Sequence, residues 1–400
     1  MTEPEQNGLK QLGSRIPSLD GWRAISILMV LGGHCKVVAG FPEQLKHGFL
    51  WPFAGDLGVR FFFTISGLLI TWLLLQEERK TGGINLKHFY IRRALRILPV
   101  YFAFLGVAFI LQLTTPFHQS NIIWASDLTF TANFCQQIQN EKAWTTGHLW
   151  SLSTEEQFYL LWPGLLIFLS LSRNWKRGLR IVAATLIIAP IFRFLAEGHY
   201  YPSQLSWAFG LFSFPRYFDA LAIGCGLALL MANRWASIQQ WMHRYPAWLI
   251  TLVGLSLIWL PYIATHKDLY PVLSIPLGHS FEGIGFVLLL LQSIISPGRL
   301  PYRCLNWGWI CRLGVLSYSI YIWQMLFCTQ PATFGLGHVW WMSFPWWLLT
   351  ALAAGTLSYY GLERPLLKLR ERFRVAEPEK APLNNQTTPP APDKLTLAQT

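Results

Sequence analysis

The chain has 400 residues, of which 52% are hydrophobic and only 13% charged, with 20 Trp, 27 Phe and 14 Tyr. Soluble proteins carry about 25% charged residues, so this composition excludes an ordinary soluble domain and points to a polytopic membrane protein. The net charge of +12 does not mark a nucleic-acid partner, because Lys and Arg alternate between segments flanking apolar runs, the positive-inside pattern.

Apolar runs fall at 22–41, 57–76, 97–113, 152–171, 178–196, 206–231, 247–264, 271–296, 313–330 and 340–362. Each is long enough to be read as a span, so the expected fold is an all-α transmembrane helical bundle of about ten spans. Lys and Arg total 20 in the connections 76–96, 171–180, 232–246, 297–312 and 364–374, against 7 in the alternate set. The richer set is expected to be cytoplasmic, together with Lys10 and Arg15, which places both termini in the cytoplasm. Residues 1–18 read as a polar cytoplasmic segment without a cleavable signal, 19–370 as the membrane domain, and 371–400 as a basic and then disordered Pro-, Gln- and Thr-rich tail. Cys35, Cys135, Cys225, Cys304, Cys311 and Cys328 form no CxxC pair. They read as free apolar thiols rather than a disulfide framework or a zinc site, and no metal is expected.

The first span carries Arg23 and, eleven residues later, His34. On a helix that offset is three turns, which puts both side chains on nearly one face, roughly 16 Å apart along the axis. An ionisable group deep in a span is costly and by default marks a working site. Its structural alternative is a hydrogen bond to a neighbouring helix. An imidazole, with an unperturbed pKa of about 6.5, is the side chain best suited to take a hydroxyl proton near neutral pH. In the second span, Gly58-Val-Arg60-Phe-Phe-Phe-Thr-Ile-Ser66-Gly67 places small residues where helices can pack closely.

Arg93 and Arg96 follow, three apart and beside the cytoplasmic surface. They form one cationic face suited to phosphate oxygens or, more simply, to anionic lipid. Pro99 fits a bend or restart of the helix. Where the outer loop 114–147 enters the fourth span stands His148-Leu-Trp150-Ser151-Leu-Ser153-Thr-Glu155-Glu156. Ser153 with Glu156 reads as a capping box, whereas Glu155 is free to orient a hydroxyl or to polarise His148. Arg216 and Asp219 are spaced to pair. The ninth span holds Ser317, Tyr318, Ser319, Tyr321 and Gln324, and Glu363-Arg364-Pro365 closes the tenth with a local interfacial ion pair. Trp340, Trp341, Trp346 and Trp347 read as an interfacial belt.

In this order the segments resemble the acyltransferase type 3 family of integral membrane acyltransferases. The matching pieces run from Pro17-Ser-Leu19-Asp20-Gly21-Trp-Arg23 and His34, through Gly58–Gly67, Phe89–Pro99 and Leu149–Tyr159, to Ser317–Trp323 and Glu363-Arg364-Pro365. The resemblance implies transfer of an acyl group, usually acetyl from acetyl-CoA, to a hydroxyl of a sugar or lipid-linked acceptor, in a multi-pass protein of the bacterial inner membrane. It assigns His34, Arg23 and Glu155 to catalysis and Arg93 and Arg96 to the acyl-CoA. It places the segment holding His148, Trp150, Ser151 and Glu156 in the active region, on the acceptor side.

Two positions depart from the family pattern: Gln324 stands where many members have His, and Arg60 where many have Asp. The C-terminal hydrolase-like domain of some members is not expected, so direct delivery or a separate periplasmic acyl-accepting partner is implied. The competing class is a transporter or flippase with a His/Arg/Glu relay, against which stands the absence of an evident inverted repeat.

Overall fold

The computed structural model describes residue 12 and residues 16–46, 55–139, 145–196, 213–267, 269 and 271–370. Its regular elements are helices, and the one extended pairing among the described residues is an isolated bridge between Ala39 and Ser343. The chain opens with α1 (Leu19–Cys35), α2 (Gly55–Thr81) and α3 (Leu86–Thr114). Two short helices, α4 (Asn121–Leu128) and α5 (Ala132–Gln139), lie in the connection to α6 (Leu149–Phe168). After them come α7 (Trp175–Ala196), α8 (Ser213–Arg244), α9 (Ala247–His266), α10 (Pro271–Ile295) and α11 (Gly308–Cys328). Finally α12 (Trp347–Ser358) passes through a π-helical turn, Tyr359–Glu363, into α13 (Arg364–Arg370).

Among the described residues, six helical stretches are long and apolar enough to cross a membrane: α2, α3, α9, α11, Tyr217–Arg244 of α8 and Pro276–Ile295 of α10. At the other four apolar runs the helices are shorter, as in α1 and α12, or diluted by polar and charged side chains, as in α6 and α7. Two boundaries differ from expectation for local reasons. The Asn85 side chain accepts from His88 N at 3.0 Å and caps α3 eleven residues before its apolar run. The helix therefore includes Arg92–Arg96 and continues uninterrupted through Pro99. Helix α6 starts at Leu149, so Ser153 lies inside it and donates to Leu149 O at 3.0 Å, and no capping box with Glu156 forms.

Glycines set the closest helix approaches. A Cβ on Gly67 would stand 2.0 Å from Leu221 O, and one on Gly224 would stand 2.0 Å from Thr64 O, so α2 and α8 meet backbone to backbone. A Cβ on Gly314 would lie 1.8 Å from Asp20 O. Asp20 meets Gly314 at one end and His34 meets Gln324 at the other, so α1 and α11 run side by side in the same direction. Among the tryptophans of the predicted belt, Trp340, Trp341 and Trp346 are exposed, whereas Trp347 turns into the core.

One fully buried ion pair ties α7, α8 and α10. Arg193 meets Asp219 through two bonds of 3.0 and 2.8 Å, and also donates to Pro276 O (2.7 Å) and Ser280 Oγ (3.0 Å). Asp219 accepts further from Ser280 Oγ and from Ala220 N. The expected partner, Arg216, has its side chain outside the described residues. A second buried pair joins α2 to α10, with Arg60 Nε 2.6 Å from Glu282 Oε2.

The connection before α6 is also anchored by buried polar groups. Gln119 Nε2 donates to Asp127 Oδ2 (3.0 Å), Thr146 Oγ1 donates to Gln119 Oε1 (2.8 Å), and Tyr101 Oη donates to Asp127 O (2.7 Å). Burial pushes the Asp127 carboxyl up to about 7, opposed by hydrogen bonds from Thr146 and Gln119. The folded state therefore holds this proton more tightly than the unfolded chain does. Its stabilising contribution is complete below about pH 4 and is lost as pH rises to about 7. Asp127→Asn should accordingly melt progressively above the parent across that window, with the gap levelling off at higher pH. A gap independent of pH in a detergent melting series would refute this.

Candidate active site

The last turn of α1 brings the His34 ring, half-buried, to α11, with Nδ1 3.2 Å from Gln324 Oε1. An amide oxygen only accepts, so this contact puts the imidazole proton on Nδ1 and leaves the Nε2 lone pair available. His148 has the opposite tautomer. Its Nε2 donates to Ile322 O at 3.1 Å, and its buried Nδ1 has no hydrogen-bond partner among the described residues. The two imidazoles lie within electrostatic reach of each other. Ser151 Oγ and Tyr321 Oη stand 2.5 Å apart and each is within hydrogen-bond distance of His148 O, so one hydroxyl donates to that carbonyl and the other to its neighbouring hydroxyl. Trp150 points elsewhere, its ring 4.8 Å from that of Tyr217 and 6.3 Å from Phe63.

Further along α6, Glu155 accepts hydrogen bonds from Ser66 of α2 and from Tyr159. The Arg93 guanidinium lies over the Tyr159 ring, 3.9 Å from its centroid, in cation–π contact. Glu156 has a buried Oε1 without a partner among the described residues and lies in the field of Arg93. One turn on, Arg96 shares its neighbourhood with Arg23, and Asp20, Glu363 and Glu155 are within reach of Arg23. Among the described residues neither Arg23 nor Arg96 makes a hydrogen bond, so their donors remain available. Arg92 is committed differently, 2.6 Å from Glu77.

The structure thus gathers the sequence candidates into two connected groups. Toward one end of α1 are His34, Gln324, His148, Ser151 and Tyr321; toward the other are Arg23, Arg96 and Glu363. Glu155, Glu156 and Arg93 lie along α6 and α3, with Glu155 in the field of Arg23. One expected juxtaposition does not form. Glu155 does not hydrogen bond His148, because seven residues of helix separate them by roughly 10 Å. The second-span motif divides its work: Gly58 and Gly67 serve packing, while Ser66 reaches Glu155.

Sequence reasoning read Ser66 only as a packing residue, gave Tyr159 and Tyr217 no role of their own, and assigned no site role to the ninth span. The signal there was the spacing of Ser317, Tyr321 and Gln324 at i, i+4 and i+7, one face of a helix, and that face meets α1 and α6. Gln324, noted only as a departure, is the residue that fixes His34.

Comparison with known proteins bears on this arrangement. The model of the acyltransferase 3 family, described as an acyltransferase domain, matches residues 16–362. The chain is 27% identical over 331 residues to peptidoglycan O-acetyltransferase OatA of Listeria monocytogenes, covering 77% of this chain and 49% of that protein. It is 28% identical over 328 residues to a protein of Staphylococcus aureus strain COL provisionally named an O-acetyltransferase (77% and 50%). A Bacillus subtilis protein provisionally named peptidoglycan O-acetyltransferase YrhL is 26% identical over 365 residues (88% and 55%). The chain spans about half the length of these curated relatives. No solved structure matches. Since the family match takes in nearly all of the helical bundle and the site residues just located up to Gln324, the chain belongs to the acyltransferase 3 family.

Proposed function

We propose that this protein is a membrane-embedded O-acyltransferase that moves an acetyl group from acetyl-CoA to a hydroxyl of a carbohydrate or lipid-linked sugar. In this reading the membrane domain, 19–370, makes ten passes through a bacterial inner membrane with both termini cytoplasmic, flanked by the polar segment 1–18 and the tail 371–400. Relatives named as peptidoglycan O-acetyltransferases support a cell-wall glycan as the acceptor class.

The observation that carries the reading is the contact of His34 Nδ1 with Gln324 Oε1. With Nδ1–H held by Gln324, Nε2 is the atom that takes the acceptor proton. The freed hydroxyl oxygen attacks the thioester carbonyl, the carbon–sulfur bond breaks, and the thiol of CoA leaves with a proton. A transient acyl-imidazole would use the same Nε2 lone pair. Arg93 and Arg96 suit the phosphates of the donor, because a guanidinium offers several N–H groups in a fixed fork. Arg23, three turns from His34 on the same helix and beside Arg96, stands on the donor side and holds the acyl-CoA. Glu155, gripped by Ser66 and Tyr159, orients the reacting groups; His148, Ser151 and Glu156 serve the acceptor side, and Trp150 supports it from behind through its packing on Tyr217 and Phe63.

The test is release of CoA thiol from acetyl-CoA by inside-out membrane vesicles containing the protein, against vesicles without it. Protein-dependent release, with acetate appearing in ester linkage on vesicle glycans or glycolipids, is expected. A transporter leaves acetyl-CoA intact, and that outcome would overturn the proposal.

A further inference from the structure

The π-helical turn at the end of α12 changes which residue faces the bundle. The buried positions of α12 are Trp347, Ala351, Gly355 and Ser358. Continued in α-helical register, the next inward position is 362. A π turn takes one residue more than an α turn, and the inward place passes to Glu363. Leu362 is accordingly 39% exposed and Glu363 only 2%. The local ion pair expected between Glu363 and Arg364 does not form. Arg364 is exposed, with its guanidinium 5.4 Å from the Tyr360 ring centroid.

Inside, Glu363 Oε2 accepts from Ser319 Oγ of α11 at 2.8 Å. The carboxylate lies in the field of both Arg96 of α3 and Arg23 of α1. Those two guanidiniums oppose each other, and in a low-dielectric interior such repulsion drives like charges apart unless an anion sits between them. A buried carboxylate is itself costly unless paired and hydrogen-bonded. Ser319 supplies its hydrogen bond, and the two nearby arginines offset its charge.

We propose that Glu363, presented by the π turn, is a positioning residue that holds Arg23 and Arg96 in the geometry that receives the phosphates of the acyl-CoA. The inference rests on the donor-side reading of those arginines given above. Glu363 itself touches neither donor nor acceptor; it acts through the two guanidiniums.

The test is the dependence of thiol release on acetyl-CoA concentration in native membranes, which carry the endogenous acceptor. Glu363→Gln keeps the shape and can still accept from Ser319, but lacks the charge. It should raise the KM for acetyl-CoA about tenfold with maximal rate within about twofold of the parent, a split that a purely structural lesion would not produce. Ser319→Ala should move KM the same way by a smaller factor. An unchanged KM in Glu363→Gln overturns the inference, as does a fall in maximal rate alone that follows protein abundance. If Glu363→Gln does not accumulate in the membrane, Ser319→Ala decides, and an unchanged KM there overturns it. Arg96→Gln separates the two levels of the argument. An unchanged KM in that variant removes the donor-side reading itself. A raised KM there beside an unchanged one in Glu363→Gln removes only the positioning role.

Discussion

Replacing His34 with alanine is expected to lower acyl transfer by about 10²–10⁴-fold, the range contributed by a positioned general base, while membrane abundance stays at the parent level. The fold should survive because His34 sits in the last turn of α1, is half-buried, and its side chain makes one hydrogen bond among the described residues, to Gln324. Truncation there removes few packing contacts. It also leaves the glycine contact at the opposite end of α1, where Gly314 meets Asp20, untouched. The measurement is mass spectrometry of ester-linked acetyl groups on host glycans and glycolipids, at matched protein abundance. Full acetylation in the variant would end the catalytic assignment of His34 and bring the transport reading forward. Gln324→Leu offers a graded version: the base remains, but Nδ1 loses the acceptor that holds its proton, so activity should fall by less than in His34→Ala.

The largest effect on stability is expected at Arg193. Arg193→Met removes the cation and leaves the Asp219 carboxylate buried without its charge partner, a lesion that typically costs about 3–5 kcal/mol. The pair is fully enclosed, so solvent screening does not soften the loss. Three helices share the network through Pro276 O and Ser280 Oγ, and the damage should spread to the α7–α8–α10 junction rather than stay local. The double variant Arg193→Met/Asp219→Leu should regain most of the stability, because apolar replacement of a whole buried pair is often neutral or favourable. It would not regain all of it, since Ser280 and Pro276 O lose a partner. Thermal unfolding of purified protein in detergent reads both variants. A single variant as stable as the parent would show that the pair contributes nothing.

Much of the bundle was legible because apolar runs in a membrane chain need no tertiary context to be recognised. Arg23 and His34 were placed on one helix face by periodicity alone, and the structure keeps them on α1. What escaped depends on distance or on broken periodicity. Arg193 lies 26 residues from Asp219, and Ser66 lies 89 from Glu155, so neither pairing leaves a local trace. Glu363 was misread because a regular α period carries position 362, not 363, to the inside. Ser153 looked like a cap because its spacing to Glu156 is right, but the helix had already begun at Leu149. The role of Gln324 was visible only as a mismatch with a family pattern, and its meaning needed the neighbouring helix.

The shared direction of α1 and α11 has a mechanical consequence. The close seating of Gly314 on Asp20 and the link between Gln324 and His34 make the two helices a single stiff caliper. One jaw is the charged cluster around Arg23; the other is the imidazole, roughly three turns away. When lipid tails lengthen or shorten, a transmembrane helix adjusts by tilting, and two helices clamped at both ends must tilt together. The gap between the jaws is then set by helical pitch rather than by the thickness of the surrounding bilayer. In the function proposed above, a flexible donor arm reaching in from the arginines would meet the imidazole at the same depth whatever lipid the cell supplies.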